Sequence, residues 1–232
     1  MKSMILLLLS FVISIIIIFL YNINSTKFLI FGSQTAPIKI GFLGGVHGNE
    51  PAGYYALVRL AEQLKTKNLD CCVKIILLPN SSGIILNSRR GMLYDINRSF
   101  QKTKMGLLIQ PKKIADFLSD CDIILDIHEA WSWNKIDNKS VGATLMPSNS
   151  AMEKISQEII KELNKTIIDE NKKYGLSPKK ACDIPRTLSC FFKDKNYILM
   201  EIPGQNNIQP LEVRINHALI ACKQLLTFKK IE

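Results

Sequence analysis

Four apolar runs of strand length constrain this chain more than any other feature: IKIGFL (38–43), VKIILL (73–78), DIILDIH (122–128) and YILMEIPG (197–204). A strand with one face in water alternates polar and apolar residues, whereas runs with so little alternation need cover on both faces. Segments of helical spacing separate them. Tyr54, Leu57, Val58, Ala61 and Leu64 fall on one helical face, as do Ile155, Ile159 and Leu163; Pro111 suits the first turn of a helix reaching Leu118, and residues 211–228 form a closing helix. VGATLM (141–146) adds a fifth strand. This alternation predicts an α/β fold, a mostly parallel mixed sheet with helices on both faces, whose ligands collect at the carboxyl ends of strands.

The first tenth of the 232 residues reads differently. MILLLLSFVISIIIIFLY (4–21) carries no charge and is long enough, as a helix, to cross a bilayer core of about 30 Å. The apolar core of a cleaved signal is usually about 7 to 15 residues and precedes a small-x-small site, which YNINSTK does not offer. The expectation is a retained, single-pass membrane anchor over 1–21, a polar linker over 22–35 and one folded domain over 36–232. Lys2 and the amino terminus precede the span and Lys27 follows it, which places the folded domain outside the cytoplasm. The net charge of +10 is scattered and lacks aromatic-basic motifs, which argues against nucleic acid and for a basic surface near an anionic membrane. Six cysteines form no Cys-x-x-Cys pair and read as buried apolar residues; outside the cytoplasm, a disulfide involving Cys182 or Cys190 is admissible.

Several polar residues fall at the ends of these strands. In GGVHGNEPAG (44–53), His47 and Glu50 follow the first strand, and Pro51 begins the next helix. Imidazole nitrogen and carboxylate oxygen both bind zinc, and a catalytic zinc takes three protein ligands. Such a pair alone reads equally as a loop histidine beside a helix-capping carboxylate. His128, ending the third run, is the candidate third ligand, while His217 lies inside the last helix and reads as structural. RRGMLYDINRSF (89–100) supplies arginines able to clamp a carboxylate or stabilise an oxyanion, or simply a solvated loop. Glu201, between Met200 and Ile202, is costly to bury without a partner, which a metal site or a structural arginine would provide.

Taken together, GGVHGNE, DINRSF, DIH and MEIPG, in that order over residues 38–205, resemble the motifs of the zinc carboxypeptidase superfamily, and in particular its aspartoacylase and succinylglutamate desuccinylase branch. The resemblance implies one zinc ion per chain held by His47, Glu50 and His128. It implies that Arg90, seven residues before Asn97, polarises the scissile carbonyl, that Asn97 and Arg98 grip the substrate carboxylate, and that Glu201 is the general base acting on water. The implied activity is hydrolysis of an amide bond next to a free carboxylate, in a peptide, a cell-wall peptide or an N-acyl amino acid. A non-catalytic, zinc-containing binder of carboxylated ligands is the competing class. Two features depart from the branch. Only about 30 residues follow the glutamate strand, too few for its second β domain, and Glu129 directly follows His128, as a second base or a structural partner. Trp131 and Trp133 either line a groove or cover the core edge.

Overall fold

In the computed structural model, which describes residues 2–90, 94–101 and 108–228, the apolar runs assemble into one seven-stranded sheet. Its strands are β1 (Lys27–Phe31), β2 (Lys39–Gly44), β3 (Cys72–Leu77), β4 (Ile123–Ala130), β5 (Thr144–Pro147), β6 (Gly175–Leu176) and β7 (Asn196–Pro203), in the spatial order β1-β3-β2-β4-β7-β5-β6. The four central strands run parallel, while β1 and β5 join antiparallel to β3 and β7. From β2 the chain passes to β3 on one side and returns to β4 on the other. That reversal opens a crevice between the carboxyl ends of β2 and β4.

The helices are α1 (Lys2–Ser25), α2 (Ala52–Leu64), α3 (Ser81–Ile85), α4 (Ile109–Leu118), α5 (Ser150–Asn164), α6 (Leu188–Phe191) and α7 (Leu211–Leu225). Ala56, Leu57, Leu60 and Leu64 of α2 pack with Ile155 and Ile159 of α5 and Ala218 and Cys222 of α7 against Phe42, Ile123, Ile127 and Met200 of the sheet. On the opposite face Ile114 and Leu118 of α4 and Leu188 of α6 cover Leu43, Ile76, Ile124 and Tyr197. All eight residues of β4 are buried, as a strand covered on both faces requires. Asn149 starts α5 by accepting a 3.0 Å hydrogen bond from the Met152 amide, satisfying one otherwise orphaned donor.

Several boundaries differ from the sequence expectation. The segment read as a linker contains β1, and Thr26 just before it reaches back to the sheet through a 2.9 Å bond to the Leu78 carbonyl. With only five residues at the sheet edge, β1 is too short to stand out as a periodic pattern. The helix carrying Pro111 begins two residues earlier, at Ile109. The strand expected over 141–146 starts only at Thr144 and runs antiparallel to β7, and the two-residue β6 was not expected at all. As for the anchor, the side chains of α1 are described over 4–17, where Met4, Leu6, Leu7 and Phe11 are all exposed. Among the described residues no helix is long and apolar enough to cross a membrane, and the span expected over 4–21 runs beyond those side chains.

His217 is structural, as the sequence suggests: it is buried in α7 and shares a 3.1 Å hydrogen bond with the Tyr174 hydroxyl. Burial pushes its pKa down to about 4. An unfolded histidine titrates near 6.5, so between those values the unfolded chain holds a proton that the folded chain lacks. Stability is therefore lost as pH falls through this window. Unfolding titrations at pH 7 and pH 4 should show the wild type losing about 2–3 kcal/mol more than His217→Gln; equal losses would refute the assignment.

Candidate metal centre and cleft

The turn after β2 is shaped by glycine. Gly45 adopts φ of 78°, a left-handed conformation that other residues enter with strain. A Cβ on Gly48 would lie 1.8 Å from the carbonyl carbon of Gly83, so the loop crosses the α3 turn backbone against backbone. This close crossing folds His47 and Glu50 back over the end of β4. There, His128 and Asp126 point to one face of the sheet, being two residues apart on a strand.

His47, Glu50 and His128 converge, all buried, with ligand atoms within 4.8 Å of one another. The Glu50 carboxylate lies 2.9 Å from Nδ1 of His47 and 2.9 Å from Nδ1 of His128, and the two Nδ1 atoms are 3.1 Å apart. Tetrahedral bonds of about 2.0–2.1 Å would set ligand atoms about 3.3 Å apart, close to this spacing. Two imidazole nitrogens facing each other across a buried carboxylate otherwise have one proton too few or one charge too many. The donor set and its spacing therefore fit a divalent metal.

A second layer fixes these side chains. Nε2 of His128 lies 3.2 Å from Asp126, whose same oxygen accepts a 2.6 Å hydrogen bond from the Tyr197 hydroxyl. A carboxylate behind a ligating histidine sets its tautomer and orientation. Glu50 accepts further hydrogen bonds from the Glu129 amide at 3.0 Å and from Gln205 Nε2 at 2.9 Å, with Arg89 Nη1 at 3.3 Å. Burial alone would raise the Glu50 pKa, but the two histidines outweigh it and hold the carboxyl well below the usual range. His128 is driven the opposite way: burial disfavours its charge, yet Asp126 and Glu50 keep its pKa well above normal.

Glu201 sits beside His128 in the β4–β7 register, on the same face of the sheet, and burial pushes its pKa up to about 8. Together with His47, Glu50 and His128 it lines a cleft of about 160 Å³ closed by Asn97, Arg98 and Thr187. Asn97 places Nδ2 3.4 Å from His128 and accepts a 3.1 Å bond from the Leu188 amide, while Arg98 bonds the Asn97 carbonyl at 3.0 Å. Arg90 is not brought to this cleft. It is exposed, and its neighbour Arg89 lines the cleft instead, held by a 3.1 Å bond to Asp95. Counting residues back from Asn97 could not locate the turn that decides between adjacent arginines.

Glu129 takes the structural alternative. On a strand it points away from His128, and it accepts a 2.7 Å hydrogen bond from the Ala52 amide at the start of α2 and forms an ion pair with buried Arg214 of α7. Trp131 is half-exposed at the cleft rim, whereas Trp133 lies under Lys172, whose Nζ is 5.2 Å from its ring centre. The sequence does not single out Asp126, Asp95, Tyr197 or Gln205, and it offers Arg89 only as one of the loop arginines. Only Asp126 left a usable trace there, its spacing of two from His128 on a strand.

Residues 38–140 match the profile of the Succinylglutamate desuccinylase/Aspartoacylase catalytic domain. No curated protein matches the chain. Among solved structures, the tripeptide-bound cell shape determinant Csd4 of Helicobacter pylori is similar over 90% of this chain, with TM-score 0.74 and 17% identity. The chain spans 56% of that protein's length. The mDAP-bound form of the same protein, described as a D,L-carboxypeptidase, is similar over 88% of this chain and 55% of its own, with TM-score 0.70 and 18% identity. Carboxypeptidase A of Helicoverpa armigera is similar over 88% of this chain and 66% of its own, with TM-score 0.60 and 12% identity. At these identities the likeness is one of fold.

Asp126→Asn keeps the size of the side chain but removes the charge behind His128. Zinc affinity, measured by competition with a chelating dye, should fall about 10- to 100-fold, with an unfolding midpoint that still shows a folded chain. Unchanged affinity would remove Asp126 from the site.

Proposed function

From a chain whose residues 38–140 match the succinylglutamate desuccinylase/aspartoacylase catalytic-domain profile, we propose a zinc-dependent hydrolase of an amide bond adjacent to a free carboxylate. The observation that carries this reading is the register of β4 and β7, which sets Glu201 beside His128 at the mouth of the His47, Glu50 and His128 cluster. His47, Glu50 and His128 would hold the zinc, one ion per chain. When bound, zinc supplies Lewis acidity for the scissile carbonyl and lowers the pKa of water.

The remaining steps belong to the protein's own side chains. Glu201, with its pKa raised by burial, accepts a proton from the attacking water and returns it to the leaving amine. Arg98 and Asn97 also line the cleft and would orient the substrate carboxylate, a guanidinium being well shaped for it. Arg89, which lines the cleft 3.3 Å from Glu50, would take the role that the resemblance implies for Arg90 and stabilise charge developing on the carbonyl oxygen. Of the substrate classes left open by the sequence, a peptide with a free carboxyl terminus is favoured, because similar folds were solved with a tripeptide and with mDAP.

The reading includes membrane attachment through α1 with the hydrolase domain outside the cytoplasm. It is supported by the uncharged sequence of 4–21 and by the hydroxyls of Ser10 and Ser14, which bond carbonyls of their own helix at 2.9 and 2.8 Å. Cell fractionation should find the full chain in membranes and a chain lacking residues 2–25 in the soluble fraction; identical partitioning would reject the anchor.

For the chemistry, a panel of peptides, cell-wall peptides and N-acyl amino acids should reveal zinc-dependent hydrolysis. Glu201→Gln should retain zinc and lower kcat about 10²- to 10⁴-fold. If the wild type binds carboxylated ligands yet turns over no faster than Glu201→Gln, the protein is a binder and the hydrolase reading fails.

A further inference from the structure

We propose that Cys182 and Cys190 are a redox-active pair whose disulfide staples the wall of the cleft formed by residues 181–190. Their Sγ atoms lie 2.7 Å apart, well inside ordinary non-bonded contact yet longer than the roughly 2.05 Å of a bonded pair. Both sulfurs are half-buried thiols, unlike Cys72, Cys121 and Cys222, which are fully enclosed. The ends of the segment are already drawn together by a 2.6 Å hydrogen bond from the Ser189 hydroxyl to the Ala181 carbonyl, and the Cys190 end is fixed locally by its amide capped on Thr187 at 3.2 Å. Bridging therefore asks little of the backbone.

The segment matters because it shapes the cleft. Ala181, Ile184, Thr187 and Ser189 line it, and the Leu188 amide holds the Asn97 side chain that faces His128. At its tip Arg186 takes φ of 66°, unfavourable for a residue with a side chain, and its carbonyl accepts a 3.1 Å bond from the Phe100 amide. With the sulfurs reduced, this strained turn is kept in place by hydrogen bonds and by the packing of Ala181 and Leu188, with no covalent tie across it. With them joined, the wall keeps its shape before a ligand arrives.

The exchange needs an external disulfide as oxidant. Cys190 borders a surface cavity beside Arg186 and Phe191 and is the sulfur that meets it first. Its thiolate attacks one sulfur of the oxidant, expelling one thiol and leaving a mixed disulfide. Cys182, whose thiol is pushed up to about 11 chiefly by the hydrogen bond it shares with Cys190, loses that restraint once Cys190 is bonded. Its thiolate then attacks Cys190 and expels the second thiol. Two cysteine S–H bonds and one oxidant S–S bond are lost, while one S–S bond within the chain and two thiol S–H bonds form.

The test uses the full chain incubated with oxidised glutathione, blocked with iodoacetamide under denaturing conditions and digested with trypsin. Cleavage after Lys180, Arg186 and Lys193 separates the two cysteines into peptides 181–186 and 187–193. Mass spectrometry should find these two peptides joined and released by reductant. Separate alkylated peptides, or glutathione left on Cys190, would overturn the pairing. This readout requires no turnover, so it stands apart from the hydrolase assignment. Where turnover is measurable, reduction should raise KM about two- to tenfold, the effect of leaving the ordering of one wall to the binding step. Cys190→Ser should show the higher KM of the dithiol form with or without oxidant, and a KM indifferent to oxidation in the wild type would overturn the effect on the cleft.

Discussion

A carboxylate buried where three strands end must be met by donors from every side, and the architecture around Glu50 follows from that requirement. Its donors come from the turn after β2, from the histidine and the Glu129 amide of β4, from Gln205 just after β7 and from Arg89 in the long loop. These groups lie on four separate segments, so the cluster exists only when the parallel strands are aligned. An isolated charge in this place would be prohibitively costly, and the same cost makes the aligned sheet the only arrangement that can accept it. The geometry of this cluster and the packing of the central sheet are in this sense one structure.

The two sides of β4 divide the labour. On the cleft side Asp126 and His128 belong to the ligand network, and on the other side Glu129 joins Arg214 and the first turn of α2. Gly204 lies against this buried pair so closely that a Cβ there would meet Glu129 Oε2 at 1.8 Å. Adjacent residues of a single strand thus connect the His47, Glu50 and His128 cluster to the helices that cover the opposite face. Glu129 fastens the start of α2, the helix that immediately follows the turn carrying His47 and Glu50. The backbone amide of the same residue bonds Glu50 directly.

Much of this was legible in the sequence where the signal is local. The parallel strands announce themselves as runs without alternation, and the strand ends draw attention to His47, Glu50, His128 and Glu201, polar residues placed where such sheets bind ligands. What escaped depends on distant parts of the chain. β1 is recognisable only through its partner β3, since five residues at an edge carry little period of their own. The choice of Arg89 over Arg90 depends on the direction of a loop, and Gln205, Tyr197 and Asp95 owe their places to contacts across separations of tens of residues. Spacing can propose which residue types meet; only the folded chain says which of two neighbours turns inward.

The pairing of His128 with Glu201 also bears on how this chain can fail. Side chains alternate along β7, so a shift of its pairing by one residue would carry Glu201 through the sheet, to the side where Ile198, Met200 and Ile202 now pack beneath the helices. A carboxylate would then stand in hydrocarbon, and three large apolar side chains would face the polar cleft. A misaligned but well-packed form is thereby denied to the protein. Molecules that complete the core have, by the same alignment, brought Glu201 beside His128, so the packing of one face checks the pairing of polar groups on the other.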